Sequence, residues 1–243
     1  MTGQSLPGLA AKYKRCAVLI LDSEEYPIAS GVLAEVRTKR WCVITNKHVL
    51  SISRPVRLSL NFVAGARHCE AQILTWHREL DLVAITPVAP LPDIPLAAVV
   101  QRDEFSKGPE IKEGHRVFYW GYPLGLGQEE YDFPVLRRGV IAQVILNRDT
   151  FLLDGFASQG SSGSAVYSEH TGKFLGLISG YVQDFLSVSV DRQLEEATIG
   201  ANSGLGEVIR ASGVEEMLEA YVWKDFRERL AQASIRRKPI RKH

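Results

Sequence analysis

A chain of 243 residues, 45% hydrophobic and 23% charged, is long enough for one large β domain or two small ones with buried cores, and this ordinary globular composition excludes wholesale disorder and collagen-like or low-complexity architectures. Twenty-nine Lys plus Arg against 28 Asp plus Glu leave a net charge of +1, a balance that argues against nucleic acid or an anionic membrane as the main partner. Cys16, Cys42 and Cys69 are odd in number and show no CxxC spacing, so they read as reduced core thiols, not as a disulfide framework or a zinc ribbon, and neither a metal nor any other cofactor is expected.

At the start, Lys12, Lys14 and Arg15 precede an apolar run at residues 16–21 that gives way to Asp22-Ser23-Glu24-Glu25. A membrane span needs about 20 apolar residues and a signal peptide a longer core with a small-residue cleavage site, so neither is expected and the location read from this segment is cytoplasmic. Short apolar runs at 16–21, 31–36, 41–45, 55–60, 70–75 and 82–86, each bounded by turn formers or charges, predict six strands. A proline-rich stretch, 87–95, reads as a linker, followed by a charged loop at 101–113. Runs at 116–120, 135–146, 151–153, 165–167, 174–179 and 204–210 predict six more strands. Many short strands with no 3.6-residue periodicity between them predict an all-β protein of two six-stranded antiparallel β-barrels, over residues 8–100 and 101–212.

The last segment, 213–243, differs. Val214, Met217, Leu218, Tyr221, Val222, Phe226 and Leu230 recur at i, i+3, i+4 spacing, which predicts the chain's one strong helix, packing that stripe on the barrels in preference to docking a partner. Beyond it Arg236, Arg237, Lys238, Arg241 and Lys242 read as a solvated, frayed tail.

Chemistry concentrates in Gln159-Gly160-Ser161-Ser162-Gly163-Ser164-Ala165-Val166, where small residues surround one serine just before a strand. A serine attacking a carbonyl needs backbone N–H groups aimed at the developing oxyanion, and a glycine two residues before the serine lets the loop turn its amides inward. The donors here are Gly160 and Ser162. Such a loop also serves elsewhere as a plain hairpin connection, so a base is required, and that base needs a carboxylate to set its tautomer. His48 follows the strand at 41–45, where a first barrel can present it to a cleft, and Asp81 stands directly ahead of Leu82-Val83-Ala84-Ile85. Taken singly, His48 reads more readily as a structural histidine, and Asp81 equally as an exposed turn residue; the three together carry the assignment.

Their order, His48, Asp81, Ser162, across two six-stranded β halves resembles the chymotrypsin-like serine peptidases. Subtilisin-like enzymes run Asp, His, Ser, and α/β-hydrolases use a GxSxG elbow, whereas Ser164 stands two residues after Ser162. Thr45-Asn46-Lys47-His48-Val49 is similar to the TNxHV motif of the bacterial trypsin-like branch that includes the HtrA (Deg) proteases and glutamyl endopeptidases. Asp81-Leu82-Val83-Ala84-Ile85, Val117-Phe118-Tyr119-Trp120-Gly121-Tyr122-Pro123 and Gly160-Ser161-Ser162-Gly163-Ser164 are similar to three further motifs of that branch. The resemblance implies a chymotrypsin-like fold, Ser162 as nucleophile, His48 as general base and acid, Asp81 as its orienter, and the Gly160 and Ser162 amides as oxyanion hole.

Departures from the family bear on regulation and specificity. Ser161 occupies the place of the aspartate that digestive trypsins pair with a new N-terminus, so activation by propeptide removal is not expected. Phe156 stands where trypsin has its specificity aspartate, with Asp154 two residues earlier, so cleavage after Arg or Lys is not expected. Phe156 with Ser179, Gly180 and Tyr181 is expected to line the substrate channel, with a small or apolar residue before the cut. The segment from residue 213 onward is too short for a PDZ domain, and none is expected.

Other constellations read as structural. Gly125-Leu126-Gly127 lacks the third glycine of a nucleotide loop, Glu130 standing in its place; His68, Cys69 and His77 lack zinc spacing; Trp76, Trp120 and Trp223 are expected to pack. The expected function is serine endopeptidase, with a polypeptide as substrate and the oligomeric state left open. The rival is a catalytically inactive trypsin-like module that binds peptide without cutting it, and a third reading is an esterase.

Overall fold

The computed structural model describes residues 6–38, 40–52, 57–62, 65–89, 94–125, 134–189 and 196–236. Strands β1 (Ala17–Leu21), β2 (Pro27–Arg37), β3 (Arg40–Thr45), β4 (Arg57–Phe62), β5 (Gly65–Trp76) and β6 (Val83–Pro87) close into a barrel in the order β1-β2-β3-β6-β5-β4. A second closed barrel, in the order β10-β11-β12-β9-β8-β7, is built from β7 (Arg116–Gly121), β8 (Val135–Val144), β9 (Thr150–Asp154), β10 (Ala165–Ser168), β11 (Phe174–Ser189) and β12 (Glu196–Arg210). All the ladder pairings are antiparallel. The expected pair of six-stranded barrels with a C-terminal helix is the architecture observed.

Alternation along the strands explains why the runs are so apolar. Val18 and Ile20 of β1 point into the first barrel with Leu33, Val43, Val83 and Ile85. Ala17, Leu19 and Leu21 face outward, yet they are buried too, in a cluster shared with Phe118, Trp120, Tyr167 and Leu177 of the second barrel. The second barrel divides in the same way, Val117 and Tyr119 inward and Phe118 and Trp120 toward the first. Strands facing both a barrel interior and a neighbouring barrel lose the polar half of their period-2 pattern.

The helices differ from expectation in number. Besides α3 (Ala211–Arg236), the chain forms α1 (Leu6–Lys14) and α2 (Lys47–Ile52). Leu9, Ala10 and Tyr13 of α1 are buried; Tyr13 stacks on Tyr167 at 4.1 Å between ring centroids, its hydroxyl donates to Glu104 at 3.1 Å, and the Trp120 indole donates to the Ala10 carbonyl at 2.9 Å. Nine residues beginning Leu-Pro-Gly carry too little periodicity to announce a helix, and α1 is held by these tertiary contacts. The hairpin of β11 and β12 also runs further than expected, pairing as far as Ser189 with Glu196.

Burial along α3 fades with distance from the barrels. Val214, Met217 and Leu218 are buried and Tyr221 and Val222 half-buried, but Phe226 is 49% exposed. Two tryptophans depart from the packing role expected of them: Trp76, at the end of β5, is 60% exposed, and Trp223 is 62% exposed, meeting Phe226 edge-on on the outer side of α3. Cys16, Cys42 and Cys69 are free thiols. Of the tail, Arg237, Lys238, Arg241 and Lys242 lie outside the described residues, as do 90–93 of the linker and Leu126, Gly127 and Glu130. Among the described residues no helix is long and apolar enough to cross a membrane.

Candidate active site

Where β3 ends, Asn46 is buried and its side-chain Nδ2 donates to the Asp81 carbonyl at 2.9 Å, tying the end of this strand to the turn ahead of β6. That turn is braced from within, because His77 Nδ1 accepts the amides of Glu79 and Leu80 at 3.2 and 3.0 Å. Short helix α2 then begins at Lys47, which puts the His48 amide 3.0 Å from Asp81 Oδ1 and the ring Nδ1 2.5 Å from Oδ2. Both carboxylate oxygens are thereby committed to one histidine. An ionised carboxylate only accepts, so the ring Nδ1–H donates to Oδ2, and Nε2 is the nitrogen turned toward the second barrel. Nε2 lies 3.0 Å from Ser162 Oγ, contributed by the other barrel.

The loop that carries Ser162 is pinned at successive peptide planes. Leu124 N–H donates to the Gln159 carbonyl (2.7 Å), Ser161 N–H to Ser158 (2.9 Å), Ser164 N–H to Ser161 (2.9 Å) and Gly163 N–H to Ile178 (2.8 Å). Since the C=O and N–H of a trans peptide point in opposite directions, turning the Gln159 carbonyl toward Leu124 turns the Gly160 amide away from it. Gly160 and Gly163 take φ of +83° and +84°, and at Gly163 a Cβ would stand 1.9 Å from the Ser30 carbonyl oxygen and 2.6 Å from Thr45 Oγ1. Left-handed backbone pressed against the first barrel admits only glycine here. Ser161 is buried, with its Oγ accepting the Ser158 amide at 3.1 Å.

The remaining expected residues lie on β11 and around the end of β9. Ser179 and Gly180 are half-buried and Tyr181 exposed on β11, immediately beyond Ile178, the residue that receives the Gly163 amide. Ser179 Oγ donates to the Glu207 carbonyl at 3.3 Å. Phe156 is half exposed under the Arg137 guanidinium, 5.0 Å from its ring centroid, and its carbonyl accepts from Tyr119 OH at 3.0 Å and from Arg137 at 2.8 Å. Asp154 is exposed at the end of β9.

Residues given no role by sequence reasoning complete the surroundings: Asn46, named there only within the TNxHV-like segment, Leu124 and, above all, Ser30, whose amide donates to the Ser162 carbonyl at 2.8 Å. Ser30 stands one residue ahead of the apolar run expected at 31–36, and the observed strand β2 takes it in, with its side chain facing the same way as Val32 and Ala34. Among the described residues no group of three or more His, Cys, Asp or Glu side chains is disposed to hold a metal ion.

In comparisons with known proteins, a family model described as "Trypsin-like peptidase domain" matches residues 29–177, a stretch that includes His48, Asp81 and Ser162. No curated protein matches the chain. Among solved structures, the crystal structure of the serine endoprotease from Yersinia pestis superposes with a TM-score of 0.62 at 18% identity, over 91% of this chain and 68% of that one. At that identity the likeness is one of fold.

Proposed function

Because the chain belongs to the trypsin-like peptidase domain family, we propose that it is a serine endopeptidase in which Ser162 is the nucleophile, His48 the general base and acid, and Asp81 the residue that orients it. The observation that carries this reading is the hydrogen-bonded relay across the two barrels, 2.5 Å from Asp81 to His48 and 3.0 Å from His48 to Ser162. Ser162 Oγ attacks the scissile carbonyl carbon while its proton passes to His48 Nε2. Asp81 stabilises the imidazolium, and the carbonyl oxygen, now an oxyanion, is taken up by the Gly160 and Ser162 amides. His48 returns the proton to the departing amine, leaving an ester on Ser162. Water, deprotonated by the same imidazole, then hydrolyses that ester and restores the hydroxyl.

The substrate is an extended polypeptide that adds as a strand along Ser179, Gly180 and Tyr181, where β11 runs on past the nucleophile loop that is bonded to it at Ile178. The open position of the relay supports this, since His48 is exposed and Ser162 and Asp81 only half-buried.

A fluorophosphonate probe tests the assignment. Labelling of the wild-type chain that disappears in Ser162→Ala and His48→Ala, with peptide cleavage falling by about three to six orders of magnitude, is the expected result. A folded wild-type chain that binds peptide but takes up no probe overturns it in favour of an inactive peptide-binding module, and turnover of esters without cleavage of any unfolded polypeptide favours an esterase.

A further inference from the structure

We infer that Ser30, a residue of the first barrel, is a positioning residue for the oxyanion loop of the second, its hydroxyl holding the Gly160 carbonyl, and with it the loop, in register with His48. The inference rests on the peptidase reading above. Along β2 the even-numbered side chains face the second barrel: Val32, Ala34 and Val36 are buried in the shared apolar cluster, and Ser30 continues that row as its polar member at 0% exposure. A hydroxyl gains nothing from burial unless it is bonded.

Ser30 is bonded at each polar group. Its amide donates to the Ser162 carbonyl (2.8 Å), its hydroxyl donates to the Gly160 carbonyl (2.8 Å) and accepts the Tyr122 amide (2.8 Å), and its carbonyl accepts from Thr45 Oγ1 (2.8 Å). A hydroxyl has one proton, so giving it to Gly160 leaves lone pairs for the Tyr122 N–H, and one oxygen of the first barrel joins two backbone segments of the second. The chain leaves room for this approach. A Cβ on Gly121 would come within 2.9 Å of Ser30 Oγ, and one on Gly163 within 1.9 Å of the Ser30 carbonyl.

These bonds differ in kind from the others in the loop. The bonds among Ser158, Ser161 and Ser164 set the loop's internal shape. The two from Ser30 set where that shape sits relative to the barrel that carries His48. The Gly160 carbonyl lies on the peptide that leads to Ser161, one plane beyond the Gln159–Gly160 peptide whose N–H is the oxyanion donor, so without the hydroxyl the Gly160 Cα that joins the two planes, at φ +83°, loses its tie to the first barrel, and fewer molecules hold both oxyanion donors aimed while Ser162 faces His48.

The test compares wild type, Ser30→Ala, Ser30→Thr and Thr45→Val on a fluorogenic peptide that the wild type cleaves, with rates normalised to sites titrated by a fluorophosphonate. Ser30→Ala is expected to lose between about tenfold and a hundredfold in kcat with KM within about twofold, below the about 10²–10³ that removal of an oxyanion donor costs. Its affinity for a peptide boronic acid of the same sequence falls by the same factor, while that for the cleaved product peptide is unchanged. Ser30→Thr, which keeps the hydroxyl, and Thr45→Val, which removes a bond made only to the Ser30 carbonyl, retain kcat within about threefold. Should Ser30→Ala fail to give the wild-type near-UV spectrum, Ser30→Cys, with a weaker donor in a similar volume, is read in the same way. Full kcat per titrated site in Ser30→Ala or Ser30→Cys, or a loss that appears only as fewer titratable sites, overturns the inference. A wild type that neither labels nor cleaves overturns the peptidase reading instead.

Discussion

At Asp81 both carboxylate oxygens point to His48, one to its amide and one to its ring, so in the proposed mechanism this residue acts on the imidazole in two ways: it holds the ring plane and it selects the tautomer. An amide in its place keeps the shape but presents a donor on one side, which can turn the ring nitrogen's proton toward Ser162. Asp81→Asn is therefore expected to fold as the wild type does and to lose about four orders of magnitude in kcat at neutral pH; a loss under tenfold in a peptide-cleavage assay would remove Asp81 from the mechanism. At this scale the sequence was legible where residue types are constrained by chemistry. Serine between glycines, histidine at a strand end and aspartate before an apolar strand each have a reason that can be stated without coordinates. Ser30 had no such signature and Asn46 stood out only as a motif neighbour of His48, because their roles consist of bonds to the backbone of segments 130 and 35 residues away.

Among the elements, α1 was the least legible and is one of the most tightly held. It carries Tyr13 onto Tyr167 and its last turn to Glu104, where Lys12 also makes an ion pair. Tyr13→Ala removes a buried ring and an aromatic stack, with an expected loss of about 3 kcal/mol in unfolding free energy by urea titration. Trp223→Ser, on the exposed side of α3, serves as the contrast and is expected within about 0.5 kcal/mol of wild type. A Tyr13→Ala variant as stable as that control would show that α1 is not packed on the second barrel. The strands were legible because their runs are short and punctuated, whereas α1 depends on partners far away in the chain and α2 is a helix of six residues that forms where β3 runs out.

Across the whole molecule, the outer faces of the two barrels share one apolar cluster with α1 and α3, so neither barrel can lose its fold without exposing the other's surface. Unfolding is expected as one cooperative transition, and its pH dependence comes from groups in and around that cluster. Burial pushes the thiols of Cys16 and Cys42 up to about 12 and raises the phenols of Tyr13 and Tyr167. A thiol whose proton is held more tightly in the folded chain than in the unfolded one, where it leaves at about 8.5, contributes its full stability below that pH and loses it as the pH climbs toward 12. The melting temperature is therefore expected to decline steadily above about pH 9, with far-UV and near-UV signals melting together, and Cys42→Ala to make the decline shallower. A flat profile to pH 11, or two separate transitions, would contradict this account. The amino-acid sequence alone determined the barrel count and the closing helix, and it singled out His48, Asp81 and Ser162 as candidates, because strand periodicity and the residue types that nucleophilic chemistry requires are both written in short local segments. Tertiary structure alone decided that a serine and a histidine 114 positions apart meet at 3.0 Å, and that Ser30 lies beneath the loop between them, because such meetings depend on how two closed sheets settle against one another.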